Sequence, residues 1–104
     1  MSEPLPELDP IIHAQARLMV VSTLAGVDKG DHVTFPWLRE TLQMTAGNLS
    51  VHLRKLEDAD YVTVTKTHRG RTPTTLVSLT DRGRLAFTTY TETLHRLLDR
   101  KDVR

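Results

Sequence analysis

Apolar residues recur at helical spacing over the first quarter of the chain: Ile12, Ala16, Met19, Val20 and Leu24 fall on one face. Asp9-Pro10 provides an acceptor side chain at the N-cap and a proline at the first helical position, which predicts helix 1 from Pro10 to about Ala25, with Gly26 as its stop. Asp28-Lys29-Gly30-Asp31 reads as a turn, and His32-Val33-Thr34 as a very short strand. Thr34 then caps a second helix, Phe35 to Leu42, whose opening turn tolerates Pro36. Only Gln43 and Met44 separate it from Thr45, the predicted N-cap of a third helix running to Ala59. In that helix Leu49, Leu53 and Leu56 share the inward face. Two helices that meet across so short a turn form a helix-turn-helix.

At Tyr61 the period changes to two. Tyr61, Thr63, Thr65 and Thr67 lie on one side, and Val62, Val64 and Lys66 on the other, the β-branched alternation of a strand. Pro73 to Leu79 supplies the partner strand, and His68-Arg69-Gly70-Arg71-Thr72 joins the two as a hairpin tip. Thr80-Asp81 caps a last helix to about Arg100, with Leu85, Tyr90, Leu94, Leu97 and Leu98 as its apolar stripe and Phe87 near the edge. The order is helix, short strand, helix, helix, strand, strand, helix. This is a mainly α chain with a small β-hairpin wing, a winged helix-turn-helix. Residues 1–9, with Pro4 and Pro6 among acids, are expected to form an extended arm; 10–100 form the domain and 101–104 a tail.

Composition narrows the chemistry. At 104 residues the chain holds one domain, and no apolar run reaches the length needed to cross a bilayer. The first ten residues lack a secretory signal, so a cytosolic address and no membrane partner are expected. With no cysteine there is no disulfide, thiolate metal site or thiol nucleophile. The net charge of +1 conceals a gradient. Residues 1–44 carry 3 basic and 6 acidic side chains, 45–84 carry 7 and 4, and 85–104 carry 4 and 3. Thr45 to Leu56 and Tyr61 to Leu79 contain no acid, so a polyanion meets locally basic surface on a nearly neutral chain.

Setting the three leucines of helix 3 inward turns Gly47, Val51 and Arg54 outward, with Asn48, Ser50 and Lys55 on the flanks. A small, polar outer face suits a helix lying in the DNA major groove. Gly47 is costly in a helix, which implies either a close backbone approach, with phosphate favoured at a helix N-terminus, or relief of packing against helix 2. Thr45 is first a cap and only second a phosphate contact. Arg54 and Lys55 are candidates for phosphate, and Arg54 also for a guanine edge. Arg69 and Arg71 flank Gly70 at a tip narrow enough for the minor groove, with Lys66, His68 and Thr72 set for the adjoining phosphates. His52, at the edge of the leucine face, reads as a structural histidine. No catalytic constellation is recognisable, and no cofactor is expected.

The stretch from Leu42 to Val62 resembles the recognition-helix region of small bacterial winged-helix regulators of the MarR/ArsR superfamily. Lys66 through Arg71 and Leu79 through Arg84 are similar to their wing and the start of their last helix, and Leu8 through Leu18 to their helix 1. Asp60 departs from the pattern, which usually has glycine between the recognition helix and the next strand. The resemblance implies double-stranded DNA as partner and dimerisation through the first and last helices. Those helices carry more apolar surface than one small domain covers, and Ile12, Met19, Tyr90, Leu94, Leu97 and Leu98 are the candidate contacts. A homodimer reads two half-sites about one helical turn apart. The expected role is a transcriptional regulator, more specifically a repressor, with a small-molecule effector lodged between the first and last helices. The competing reading is a winged-helix module that uses the same surface for a protein partner. Some ArsR-like sensors place metal ligands on their terminal helix, as Glu92, His95 and Asp99 do in spacing, although such triples also arise on solvated faces.

Overall fold

The computed structural model describes residues 6–100. It contains α1 (Gln15–Ala25), β1 (Val33–Thr34), α2 (Phe35–Leu42), α3 (Ala46–Asp58), β2 (Val62–Arg69), β3 (Thr72–Leu79) and α4 (Asp81–Leu98). The element order is that of the winged helix anticipated above. Three threonine caps hold where the sequence placed them: Thr34, Thr45 and Thr80 accept hydrogen bonds from the N–H groups of Trp37 (3.2 Å), Asn48 (3.1 Å) and Gly83 (2.9 Å). Each satisfies a donor that its helix leaves unpaired.

Helix α1 starts later than the pattern predicts. Asp9 does cap a turn, its Oδ1 accepting from Ile11 N (2.8 Å) and Ile12 N (3.4 Å), but the backbone straightens at Ala14 (φ −145°, ψ 129°) before α1 begins. Tertiary contacts hold the turn apart from the helix. Ile12 is fully buried, the Tyr61 hydroxyl donates to Asp9 Oδ2, and Arg17 Nε donates to Ile11 O at 2.6 Å. Of the arm expected over residues 1–9, residues 1–5 lie outside the described residues, as do tail residues 101–104. At the other end α4 stops at Leu98, two residues short of the expected Arg100.

The sheet is antiparallel in the order β1-β3-β2. Its inner face presents Val33, Val64 and Val77, paired Val33 with Val77 and Val64 with Val77. These meet Val20, Val21 and Leu24 of α1, Leu38 and Leu42 of α2, and Leu49, Leu53 and Leu56 of α3 in one core. The hairpin is longer than predicted: Arg69 pairs with Thr72, so Gly70 and Arg71 alone make the turn. Gly70 takes the left-handed conformation (φ 65°), which a two-residue hairpin loop demands and glycine adopts without a steric cost.

Helices α2 and α3 both end on a non-glycine residue in the left-handed region, Gln43 (φ 56°) and Asp60 (φ 65°). In each case two backbone bonds close the end: Gln43 N to Glu40 O with Met44 N to Arg39 O, and Asp60 N to Glu57 O with Tyr61 N to Leu56 O. This is the Schellman arrangement, whose left-handed position glycine fills most easily and which Gln43 and Asp60 fill here. The first closure turns the chain between α2 and α3, and the second turns it from α3 into β2.

Candidate nucleic-acid interface

The base of the wing is fixed by a junction around Thr80. Its hydroxyl donates to Asp60 O (2.7 Å) while accepting from Gly83 N, and its own N–H donates to Tyr61 O (3.0 Å). The end of α3, the start of β2 and the start of α4 therefore converge on one residue. Gly83 makes the convergence sterically feasible: a Cβ built there would lie 2.1 Å from Tyr61 O and 2.9 Å from Leu79 Cδ1. Arg84, one residue on, donates to Ala25 O (3.3 Å) and Val27 O (3.4 Å), satisfying carbonyls at the end of α1. The sequence pattern marked Gly83 and Arg84 only as part of a resemblance, and nothing in it revealed these contacts.

On this frame α3 buries Leu49, Leu53 and Leu56 and leaves Thr45, Gly47, Asn48, Ser50, Val51, Arg54 and Lys55 exposed. Ser50 and Arg54 face the wing across an open groove of about 450 Å³, to which β2 contributes Lys66 and β3 Thr75. The recognition-helix candidates and the root of the wing thus share one side of the molecule. Glu57 and Asp58, at the C-terminal end of α3, line the same groove, so its cations, Arg54 of α3 and Lys66 of β2, sit beside acidic neighbours. Lys66, His68, Arg69, Arg71 and Thr72 are all exposed along the hairpin. Arg69 belongs to the strand, on the face opposite Lys66, and Arg71 to the turn itself.

Gly47 sits in the first turn of α3, and a Cβ added to it meets no atom within 4 Å. Relief of packing against α2 therefore does not explain this glycine. Gly47→Ala is expected to raise folding stability by about 0.5–1 kcal/mol through helix propensity, yet to weaken duplex binding by crowding the backbone N–H groups; thermal melts beside anisotropy titrations separate the two effects.

His52 takes the structural role expected of it. Arg17 Nη1, which can only donate, lies 3.3 Å from His52 Nδ1, so that nitrogen is the acceptor and the proton resides on Nε2. The same guanidinium bonds Ile11 O, tying the turn before α1 to α3. Burial, then the charges of Arg17 and Lys55, hold the His52 pKa below its ordinary 6.5. The unfolded chain consequently binds this proton first on acidification. Stability present above pH 6.5 falls as the pH drops from there toward the lowered native value, and urea melts of His52→Gln should show a flatter pH dependence over that range. At the opposite end of the titration scale, burial and then the bond to Asp9 push the Tyr61 phenol up to about 12.

The candidate dimer residues divide. Ile12 and Tyr90 are buried within the single chain, at 0% and 3% exposure, with the Tyr90 hydroxyl 2.9 Å from His13 Nδ1. Leu94 and Leu97 are half-buried, whereas Met19 (38%) and Leu98 (74%) are open, as is Leu85 (68%). Glu92, His95 and Asp99 are exposed along α4, and no group of three or more metal-ligating side chains converges among the described residues. No helix among them is long and apolar enough to cross a membrane.

Over 81 residues the chain is 35% identical to an uncharacterised protein of Methanocaldococcus jannaschii, spanning 77% of this chain and 84% of that one. The solved structure of a transcriptional regulator homologue from Pyrococcus horikoshii OT3 superposes with a TM-score of 0.78 at 28% identity, over 89% of either chain. Overoxidized AbfR bound to DNA shares the fold, with a TM-score of 0.68 at 19% identity over 82% of this chain and 60% of that one. Residues 16–98, which include α3, the hairpin and the junction that joins them, match the Winged helix DNA-binding domain family; the chain belongs to that family and shares its fold with the transcriptional regulator homologue.

Proposed function

We propose that this protein is a cytoplasmic, homodimeric transcriptional regulator that binds specific double-stranded DNA sites, with α3 in the major groove and the hairpin at the minor groove. The observation that carries this reading is the shared groove, in which Ser50 and Arg54 of α3 face Lys66 of β2. An α-helix fits the major groove, and a guanidinium at a narrow tip suits the negative potential of a narrow minor groove. Five cations per chain (Arg54, Lys55, Lys66, Arg69 and Arg71) flank these elements and are exposed. Anisotropy titration of labelled genomic fragments tests the reading. Salt-dependent binding is expected; no binding at low salt would instead favour a module that uses this face for a protein partner.

A single reading head covers about one half-site, so dimerisation follows from the need to span two. The open apolar residues Leu85 and Leu98 on α4 and Met19 on α1 support an interface along these helices. Leu98→Asp changes a side chain that is 74% exposed, so the fold should persist while sedimentation shifts from dimer to monomer. Repression is the simplest output, since occupying a promoter blocks it without a separate activating surface. An effector has room in a cleft of about 380 Å³ between the segment before α1 and the first half of α4, bordered by Asp9, Tyr61, Arg82, Leu85 and Tyr90. A ligand there would bias the position of α4, and through the Thr80 junction that of the wing. Isothermal titration with candidate effectors, with and without operator, checks it.

A further inference from the structure

Val51 is anomalous on chemical grounds. It is 55% exposed in the middle of α3, on the face opposite the three core leucines, and it has no place in the hydrophobic core. A β-branched residue loses side-chain freedom in a helix, and an exposed one recovers nothing by burial. Its surroundings are equally specific. Gly47 lies one turn before it, Arg54 and Lys55 one turn after, and no acidic side chain occurs between Thr45 and Leu56. Gly47, four residues earlier on the same face, carries no side chain, and a Cβ built there would meet no atom within 4 Å, so the helix surface ahead of Val51 is bare. The result is one small apolar knob, next to bare helix surface and flanked by cations.

The only apolar group on the floor of the major groove is the C5-methyl of thymine. We propose that Val51 is a specificity-determining residue that reads a thymine methyl, with Arg54 and Lys55 holding the neighbouring phosphates. The inference rests on the DNA-binding reading above and adds the base that this position selects. The cationic flanks match phosphates on either side of the base, and Gly47 lets the helix approach closely enough for a branched methyl to touch one on the groove floor.

The test begins with selection of duplexes from a randomised library by the full-length protein. The enriched duplex is then resynthesised with deoxyuridine, which lacks only the methyl, in place of each thymidine in turn. At one position per half-site the wild type should lose about fourfold in affinity, the worth of one buried methyl. Val51→Ala, which improves helix propensity and so preserves the fold, should bind the thymidine and deoxyuridine duplexes equally at that position. 5-Methylcytosine in place of cytosine gives a methyl back to a non-cognate base and should recover part of the affinity for the wild type alone. Enriched duplexes that show no deoxyuridine penalty anywhere, or a penalty unchanged in Val51→Ala, would overturn the assignment while leaving DNA binding intact. A library from which nothing is enriched would overturn the DNA-binding reading and this inference with it.

Discussion

Gly83→Ala should be the most damaging single methyl that can be added to this protein. The new carbon would stand 2.1 Å from Tyr61 O, a backbone atom that cannot rotate aside, and 2.9 Å from Leu79 Cδ1. Relief requires the first turn of α4 to move away from the start of β2. That movement strains the bonds from Thr80 N to Tyr61 O, from Thr80 Oγ1 to Asp60 O and from Gly83 N to Thr80 Oγ1. Overpacking of this kind costs about 3 kcal/mol or more, a large share of the roughly 5–15 kcal/mol that holds a small domain together. A melting temperature lower by roughly 12–24 °C is expected for a domain of this size. By contrast, Thr80→Ala removes the cap without a clash and should cost about 0.5–2 kcal/mol. Calorimetry of both variants ranks them, and a Gly83→Ala protein that melts with the wild type would show that the junction is not built as described.

The second large effect concerns affinity rather than stability. Replacing Arg69 and Arg71 together by alanine removes two exposed cations from the hairpin and leaves the turn glycine and the strand register in place. If a dimer neutralises roughly 6–10 phosphates, wild-type affinity falls about 10³- to 10⁵-fold between 50 and 200 mM salt. Every phosphate that is no longer neutralised reduces the slope of log K against log salt by about 0.9, so the double variant should titrate with a visibly shallower slope as well as weaker binding. Equal slopes for variant and wild type would place the hairpin away from the duplex. Far-UV circular dichroism should be unchanged, because neither side chain contributes to the core.

The parts of this architecture that are legible in the sequence are those governed by local rules. The caps at Thr34, Thr45 and Thr80 need only a hydroxyl and the N–H groups a few residues on, and Leu49, Leu53 and Leu56 need only a helical period. What depends on distant residues is not legible. The turn at Asp9 stays separate from α1 because Tyr61 and Arg17 hold it, through bonds that span 52 residues and 6 residues along the chain. The stripe of α4 is narrower than its apolar pattern suggests for a similar reason. Its inner face runs through Gly83, Tyr90 and Thr93, and Leu85, five residues before Tyr90, falls off that 3–4 spacing and points to solvent. Thr93 occupies an inner position despite its hydroxyl, which donates to Thr89 O at 2.8 Å and so carries no unpaired polar group into the interior. Gly47 and Gly83 illustrate the limit most clearly. Both stand in the first turn of a helix; one faces open space and the other a carbonyl oxygen, and only the packed chain tells them apart.

If α3 and the hairpin engage one duplex together, backbone amide NMR of isotope-labelled protein, titrated with an enriched duplex, reports on both elements at once. Shifts are expected over Ala46–Lys55 and again over Lys66–Thr72, growing in parallel as duplex is added, with the buried face of α4 changing little. Perturbations confined to α1 and α4, or to one of the two elements with the other silent, would contradict the account.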